Sequence, residues 1–195
     1  MALAQGLYSV SINEATEART PFRRRRVRRP FSFAGGQRPH SPYLREVTPL
    51  EVVPIGLIHS PYRRPGEAPH QGRLSERLSE LEIYPQYAHG LKDIEQTSHL
   101  VVLYWCHLAS REVLKTRTPF GPEERGVFAC RSPARPNPIA FCVAELLAVK
   151  GNRLVVRGVD AVDGSPLLDL KPYSADLDSV PEARIGWFEK GREAE

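Results

Sequence analysis

With 195 residues, 41% of them hydrophobic, the chain can fold one ordinary domain with an appendage, and no apolar run approaches the roughly 20 residues that span a bilayer. Its net charge of +4 is uneven: residues 1–50 hold nine Arg, no Lys and three Glu, a net +6, while the remainder nets −2. The basic character belongs to the N-terminal segment, and bulk charge does not mark the rest as a nucleic-acid binder.

Residues 1–50 read as a disordered tail. The run Arg23-Arg24-Arg25-Arg26-Val27-Arg28-Arg29, the pair Gly35-Gly36 and scattered prolines leave no sustained apolar period, so too little surface is buried to offset chain entropy. Arg28-Arg29-Pro30-Phe31 faintly suggests a twin-arginine signal, but no apolar stretch follows it. The arginines read as a solvated tail or as an arm for a phosphate backbone. The expected organisation is a tail at 1–50, a folded domain at 51–190 and a short C-terminal tail at 191–195.

From Glu51 onward the pattern is that of strands. Val52 to Ile58 is a short apolar run stopped by Ser60-Pro61, and Leu81 to Tyr84 alternates before Pro85. Leu100 to Trp105 is β-branched and aromatic, and Gly126 to Ala129 follows a Gly/Pro-containing loop. Phe141–Val149 and Arg153–Val159 read as a hairpin around Lys150-Gly151-Asn152, and Asp163-Gly164 turns the chain into Leu167–Leu170. Short helices are expected at Tyr87–Glu95 and Glu182–Trp187. Short strands separated by turns predict a mainly β domain, a small antiparallel sheet closed into a barrel with a few short helices. Cys106, Cys130 and Cys142 each lie in an apolar stretch without C-x-x-C spacing, which predicts buried, reduced thiols and no metal site.

The common catalytic motifs are missing: no G-x-G-x-x-G, no phosphate-binding lysine loop, no G-x-S-x-G and no H-E-x-x-H. Three loops, however, are richer in polar and rigid residues than plain turns. Ala68-Pro69-His70-Gln71-Gly72-Arg73 is either an exposed polar loop or a donor/acceptor pair on a backbone partly fixed by proline. Arg131 to Ile139 contains three prolines, which stiffen it and preset Arg131, Arg135 and Asn137; it serves equally as a rigid connection or as a seat for an anionic or nucleotide ligand. Asp163-Gly164-Ser165-Pro166 is a tight turn that offers a carboxylate, a hydroxyl and open backbone groups, followed by Asp169, Lys171 and Tyr173. His107 closes the Trp105 strand as a core or a site histidine.

Six segments occur in order: Pro54-Ile-Gly-Leu-Ile-His-Ser-Pro-Tyr62, Pro69-His-Gln71, Asp93-Ile-Glu-Gln-Thr-Ser-His-Leu100, Gly126-Val-Phe-Ala-Cys-Arg-Ser132, Arg135-Pro-Asn-Pro-Ile139 and Asp163-Gly-Ser-Pro-Leu-Leu-Asp-Leu-Lys-Pro-Tyr173. Together they resemble the TsaA-like (TrmO) family over about residues 51–190. The resemblance implies a small non-Rossmann β-barrel, a homodimer, cytoplasmic location and S-adenosylmethionine bound near the subunit interface. It also implies methylation of N6 of threonylcarbamoyl-adenosine beside the tRNA anticodon, without metal or membrane. Carried over by motif, the cofactor residues are Pro69, His70, Gln71, His107, Leu108, Arg131, Phe141, Asp163, Gly164, Ser165 and Pro166. Arg135, Asn137, Lys171 and Tyr173 are expected to position the acceptor, and Asp163 and His70 are the candidates for a general base. The alternative expectations are another RNA or a small molecule as acceptor, or cofactor binding without catalysis.

Overall fold

The computed structural model describes residues 51–192; the tail predicted at 1–50 and the last residues, 193–195, lie outside them. Strands β1 (Gly56–His59), β2 (Leu78–Ile83), β3 (His99–Trp105), β6 (Ile139–Lys150), β7 (Arg153–Arg157) and β8 (Ser165–Pro172) form a closed barrel in the order β1-β2-β7-β6-β3-β8. Every pairing in it is antiparallel. Between β3 and β6 the chain makes a separate hairpin, β4 (Lys115–Thr118) with β5 (Gly121–Gly126), and after β8 come the short helices α1 (Ala175–Asp178) and α2 (Gly186–Arg192). The barrel expected from the sequence is present. No helix among the described residues is long and apolar enough to cross a membrane.

Alternation along the strands sets the inside of the barrel. Leu81 and Ile83 of β2, Leu100, Val102 and Tyr104 of β3, and Leu154 and Val156 of β7 are buried, with Ile58, Ala144 and Leu167 completing the core. Each large apolar side chain so buried contributes about 1.5–3 kcal/mol. Outside the barrel, Arg153 reaches Glu80 and Glu82 while Arg157 reaches Glu76 and Glu145. Register follows the core pattern, and β8 departs from it at Leu168, where the pairing with β3 slips between Leu103 and Tyr104.

Several boundaries differ from the sequence expectation. Only Gly56–His59 of the first apolar run is strand; upstream, Pro54 has no N–H for a ladder, although Ile55 N–H still bonds the Leu167 carbonyl at 2.8 Å. Val127–Ala129, expected as strand, is a 3₁₀ turn, and the strands lie before it as β4 and β5. The helix expected at Tyr87–Glu95 is two 3₁₀ segments, Pro85–Leu91 and Ile94–Gln96, separated by Asp93 in the left-handed region at φ 66°. The last helix begins at Gly186, later than expected.

The register also shows where the connections fall. Trp105 at the end of β3 faces Ile139 at the start of β6, Arg157 at the end of β7 faces Leu78 at the start of β2, and Ile58 of β1 faces Ser165 of β8. The β1–β2, β3–β6 and β7–β8 connections therefore open at one end of the barrel. All three polar loops picked out in the sequence belong to them.

Candidate functional site

A cavity of about 590 Å³ lies against the outer face of β6. Period-2 geometry aims Phe141, Val143 and Glu145 outward, while Cys142 and Ala144 are buried. Gln71, Gly72 and Arg73 from the β1–β2 connection form one wall, and Arg131 and Tyr173 line it too. The Arg131 guanidinium lies 5.7 Å over the Phe141 ring and its Nη1 is 3.5 Å from Gln71 Oε1. Phe141 is 48% exposed, an aromatic face offered to a ligand and backed by a cation. The Gly72 backbone is pressed so tightly on the β7–β8 connection that an added Cβ would lie 1.9 Å from the Gly158 carbonyl oxygen.

Of the residues expected to hold cofactor, Gln71, Arg131 and Phe141 thus meet at one cavity. Pro69 is half-buried and His70 exposed in the same loop. The others gather elsewhere at that end. His107 Nδ1 is 3.2 Å from Ser165 Oγ, and the Asp163 carboxylate accepts from the Ser60 amide at 3.0 Å and from Arg63 Nη1 at 2.9 Å. Gly164 N–H bonds the Ile58 carbonyl, Pro166 is buried, and Leu108 is exposed. Burial holds the His107 imidazole below the usual histidine range, against the pull of the Asp163 carboxylate.

Among the residues expected to position an acceptor, Tyr173 alone lines this cavity. Arg135 is directed into its own loop, with Nη2 donating to the carbonyls of Val127 and Cys130; it folds the segment that carries Arg131. The carbonyl of Asn137 accepts from the Ile139 amide, and Lys171 pairs with Asp169 at 2.6 Å. Lys171 and Asp169 line a second, more apolar hollow of about 500 Å³ with Leu91, Ile94 and Leu170.

Two features escaped the sequence reading, the Glu145–Arg157 pair and Asp160. Glu145 and Arg157 are register partners and both line the cavity; an exposed Phe141 two and four residues from Val143 and Glu145 was the signal for that outer face. Asp160 is half-buried, accepts from Tyr104 Oη at 2.8 Å and lies within electrostatic reach of Arg131. Burial raises its carboxyl above the usual range, while its hydrogen bonds and the Arg131 charge act the other way. The three cysteines, expected as buried thiols, are free thiols of which only Cys142 is buried, Cys106 and Cys130 being half-buried at the ends of their apolar stretches; burial pushes Cys106 up to about 11 and Cys142 upward as well, so both stay protonated near neutral pH.

The cavity falls within the size range of small-molecule sites. Its walls offer an aromatic face, guanidinium groups, an amide and carboxylates. That set suits a ligand with a purine-like ring, hydroxyls and a charged end.

The family described as tRNA-methyltransferase O N-terminal domain matches residues 57–179. A protein of Archaeoglobus fulgidus named as a probable S-adenosyl-L-methionine-binding protein is 54% identical over 141 residues, 72% of this chain and 38% of that one. A second A. fulgidus protein, named as an S-adenosyl-L-methionine-binding protein, is 52% identical over 129 residues, 66% of this chain and 93% of the relative. The crystal structure of TrmO from Pseudomonas aeruginosa superposes with a TM-score of 0.60 at 34% identity, over 71% of this chain and 62% of that one. This chain therefore spans well under half of the first relative and less than two thirds of the crystallised TrmO.

Proposed function

Since the chain belongs to the family of the tRNA-methyltransferase O N-terminal domain, we propose that it is an S-adenosylmethionine-dependent methyltransferase acting on N6 of threonylcarbamoyl-adenosine beside the tRNA anticodon. The observation that carries this reading is the meeting of Gln71, Arg131 and Phe141 at one cavity, although they lie on two separate connections and a strand.

The lining fits such a cofactor. Phe141 supplies a stacking face, Arg131 a cation for the carboxylate end, and the Gln71 amide and Glu145 carboxylate suit hydroxyl and ammonium groups. Bound there, S-adenosylmethionine supplies an activated methyl group, and the protein's work is alignment and exclusion of water. The acceptor nitrogen is flanked by a carbonyl and is a poor nucleophile, so a base that removes its proton assists the transfer. Both oxygens of Asp163 are already engaged, one by the Ser60 amide and one by Arg63. That makes Asp163 a strut of the Gly164–Pro166 turn. His70 is exposed and has no hydrogen bond or ion pair among the described residues; an imidazole so placed is the better candidate for the base.

The protein works in this reading as a cytoplasmic homodimer with the cofactor near the interface. Phe128, 82% exposed, and Leu108, 56% exposed, support an apolar contact between copies. The two residue groups at the loop end, one around Arg131 and one around His107 and Asp163, then serve the same ligand region.

The test is to incubate the protein with S-adenosylmethionine and tRNA carrying unmethylated threonylcarbamoyl-adenosine, digest it and weigh the nucleosides by mass spectrometry. A methylated nucleoside that disappears with Arg131→Ala is the expected result. Cofactor binding in the calorimeter without that product would move the acceptor to another RNA or a small molecule. No binding would overturn the cofactor assignment itself.

A further inference from the structure

Glu145 lines the cavity from the same face of β6 as Phe141. The pairing of β6 with β3 runs without a break from Ile139 opposite Trp105 to Glu145 opposite His99. An unbroken strand places Phe141 and Glu145 roughly 13 Å apart at their Cα atoms, with Val143 between them. On the other side Glu145 faces Arg157 of β7, which also lines the cavity. Arg157 donates twice to one carboxylate oxygen, Oε2, from Nε at 3.0 Å and from Nη2 at 2.5 Å. Its Nη1 donates to Glu76 at 2.8 Å. The second oxygen of Glu145, Oε1, has no hydrogen bond among the described residues.

That arrangement decides what Glu145 can hold. Arg157 already balances its charge, so an ammonium group brought to the same carboxylate would sit beside a guanidinium. What is left over is an oxygen in a fixed direction that accepts but cannot donate, the partner a neutral hydroxyl needs. Spacing agrees with this. A purine stacked on Phe141 has its ribose attached directly to it, and the ribose hydroxyls are the next polar groups along the strand face. The amino-acid end has the Arg131 guanidinium, whose contacts at 3.5 Å to Gln71 and 5.7 Å to the Phe141 ring are both with neutral groups. Resting on the reading that this cavity takes S-adenosylmethionine, we infer that Glu145 is a specificity-determining residue: its Oε1 accepts from a ribose hydroxyl of the cofactor while Arg157 holds the carboxylate in place.

Calorimetry on the full chain tests this with S-adenosylmethionine, with 5′-methylthioadenosine, which lacks the amino-acid end, and with the 2′-deoxy and 3′-deoxy forms of the latter. Wild type is expected to bind one deoxy form about tenfold more weakly than the parent nucleoside, as the loss of a hydrogen bond to a charged group requires. In Glu145→Ala that difference should shrink to within about twofold, and S-adenosylmethionine should bind about tenfold more weakly than to wild type. Glu80→Ala is the control. It breaks a comparable pair, Glu80 with Arg153 at 3.2 Å on the outside of the barrel, and should keep the tenfold discrimination. Equal affinity of wild type for all three nucleosides overturns the proposal, as does discrimination that survives in Glu145→Ala or vanishes in Glu80→Ala. A loss in Glu145→Ala confined to S-adenosylmethionine would place the carboxylate at the amino-acid end and overturn it too. If wild type binds neither S-adenosylmethionine nor the nucleosides, the cofactor reading itself has failed and the proposal falls with it.

Discussion

Arg131 makes two unlike contacts, the Gln71 amide oxygen at 3.5 Å and the face of Phe141 at 5.7 Å. A lysine supplies the charge but neither the planar stack nor the fork of donors. Arg131→Lys is therefore expected to weaken S-adenosylmethionine binding by about tenfold in calorimetry; an affinity equal to wild type would reduce the residue to a point charge. Glu82 presents a different residue-level case. It accepts from His59 at 2.7 Å and from Arg153 at 3.1 Å. The His59 hydrogen bond first, and then the Arg153 charge, hold its carboxyl below the usual range against partial burial. A carboxyl lowered by folding stabilises the protein above its unfolded value, and that contribution disappears as pH falls through the folded value. Glu82→Gln should accordingly lower the thermal midpoint at neutral pH and converge on wild type once the pH has fallen through the folded value. Solvent exposure keeps the difference under about 1 kcal/mol. Thermal melts across that pH range decide it, because a gap that persists in acid would belong to packing and not to charge.

Among the connecting elements, the turn at Gly72 is the least tolerant of change. A methyl group there meets the Gly158 carbonyl at 1.9 Å, so backbone must shift. Gly72→Ala is expected to cost more than about 2 kcal/mol in urea unfolding, whereas Gly90→Ala should stay within about 0.5 kcal/mol. Gly90 is the fair comparison because nothing lies within 4 Å of its added Cβ. Equal costs at the two positions would show that the turn yields. Elements of the barrel wall were legible in the sequence because apolar, β-branched runs such as Leu100–Trp105 report their own burial. The β4–β5 hairpin was not. Lys115 to Thr118 and Gly121 to Gly126 carry no buried face, and the hairpin is met by distant residues, Phe188 against Phe120 and Trp187 under Arg125. The expected helix at Tyr87–Glu95 failed for a local reason, since the left-handed backbone at Asp93 breaks it into two 3₁₀ pieces. The candidate site divides along the same line. Proline-stiffened loops announced Gln71 and Arg131, but Glu145 opposite Arg157 depends on strand register, and Asp160 on a hydrogen bond from Tyr104, 56 positions away.

For the molecule as a whole, antiparallel closure brings three long connections to one end, so a site can form from segments far apart in sequence. Charge distribution then bears on how that end meets a polyanion. Residues 51–195 are slightly acidic overall and residues 1–50 carry the net +6, yet the β1–β2 connection presents Arg63, Arg64, Arg73 and Arg77 at its surface. If tRNA is the acceptor, two sets of arginines compete for the role of phosphate contacts, and salt dependence separates them. Every phosphate contact releases counterions, so each one lost flattens the slope of log affinity against log salt by about 0.7–0.9. Removal of residues 1–49 is expected to weaken RNA binding at low salt and to flatten that slope, measured by fluorescence anisotropy from about 50 to 200 mM salt. Three lost contacts would reduce its magnitude by roughly two to three. Affinity for S-adenosylmethionine should not change, because the residues that line the cavity all lie after position 70. An unchanged slope would leave the tail without a phosphate role and place the RNA contacts on the four arginines of the β1–β2 connection, whose replacement by serine would then carry the effect instead.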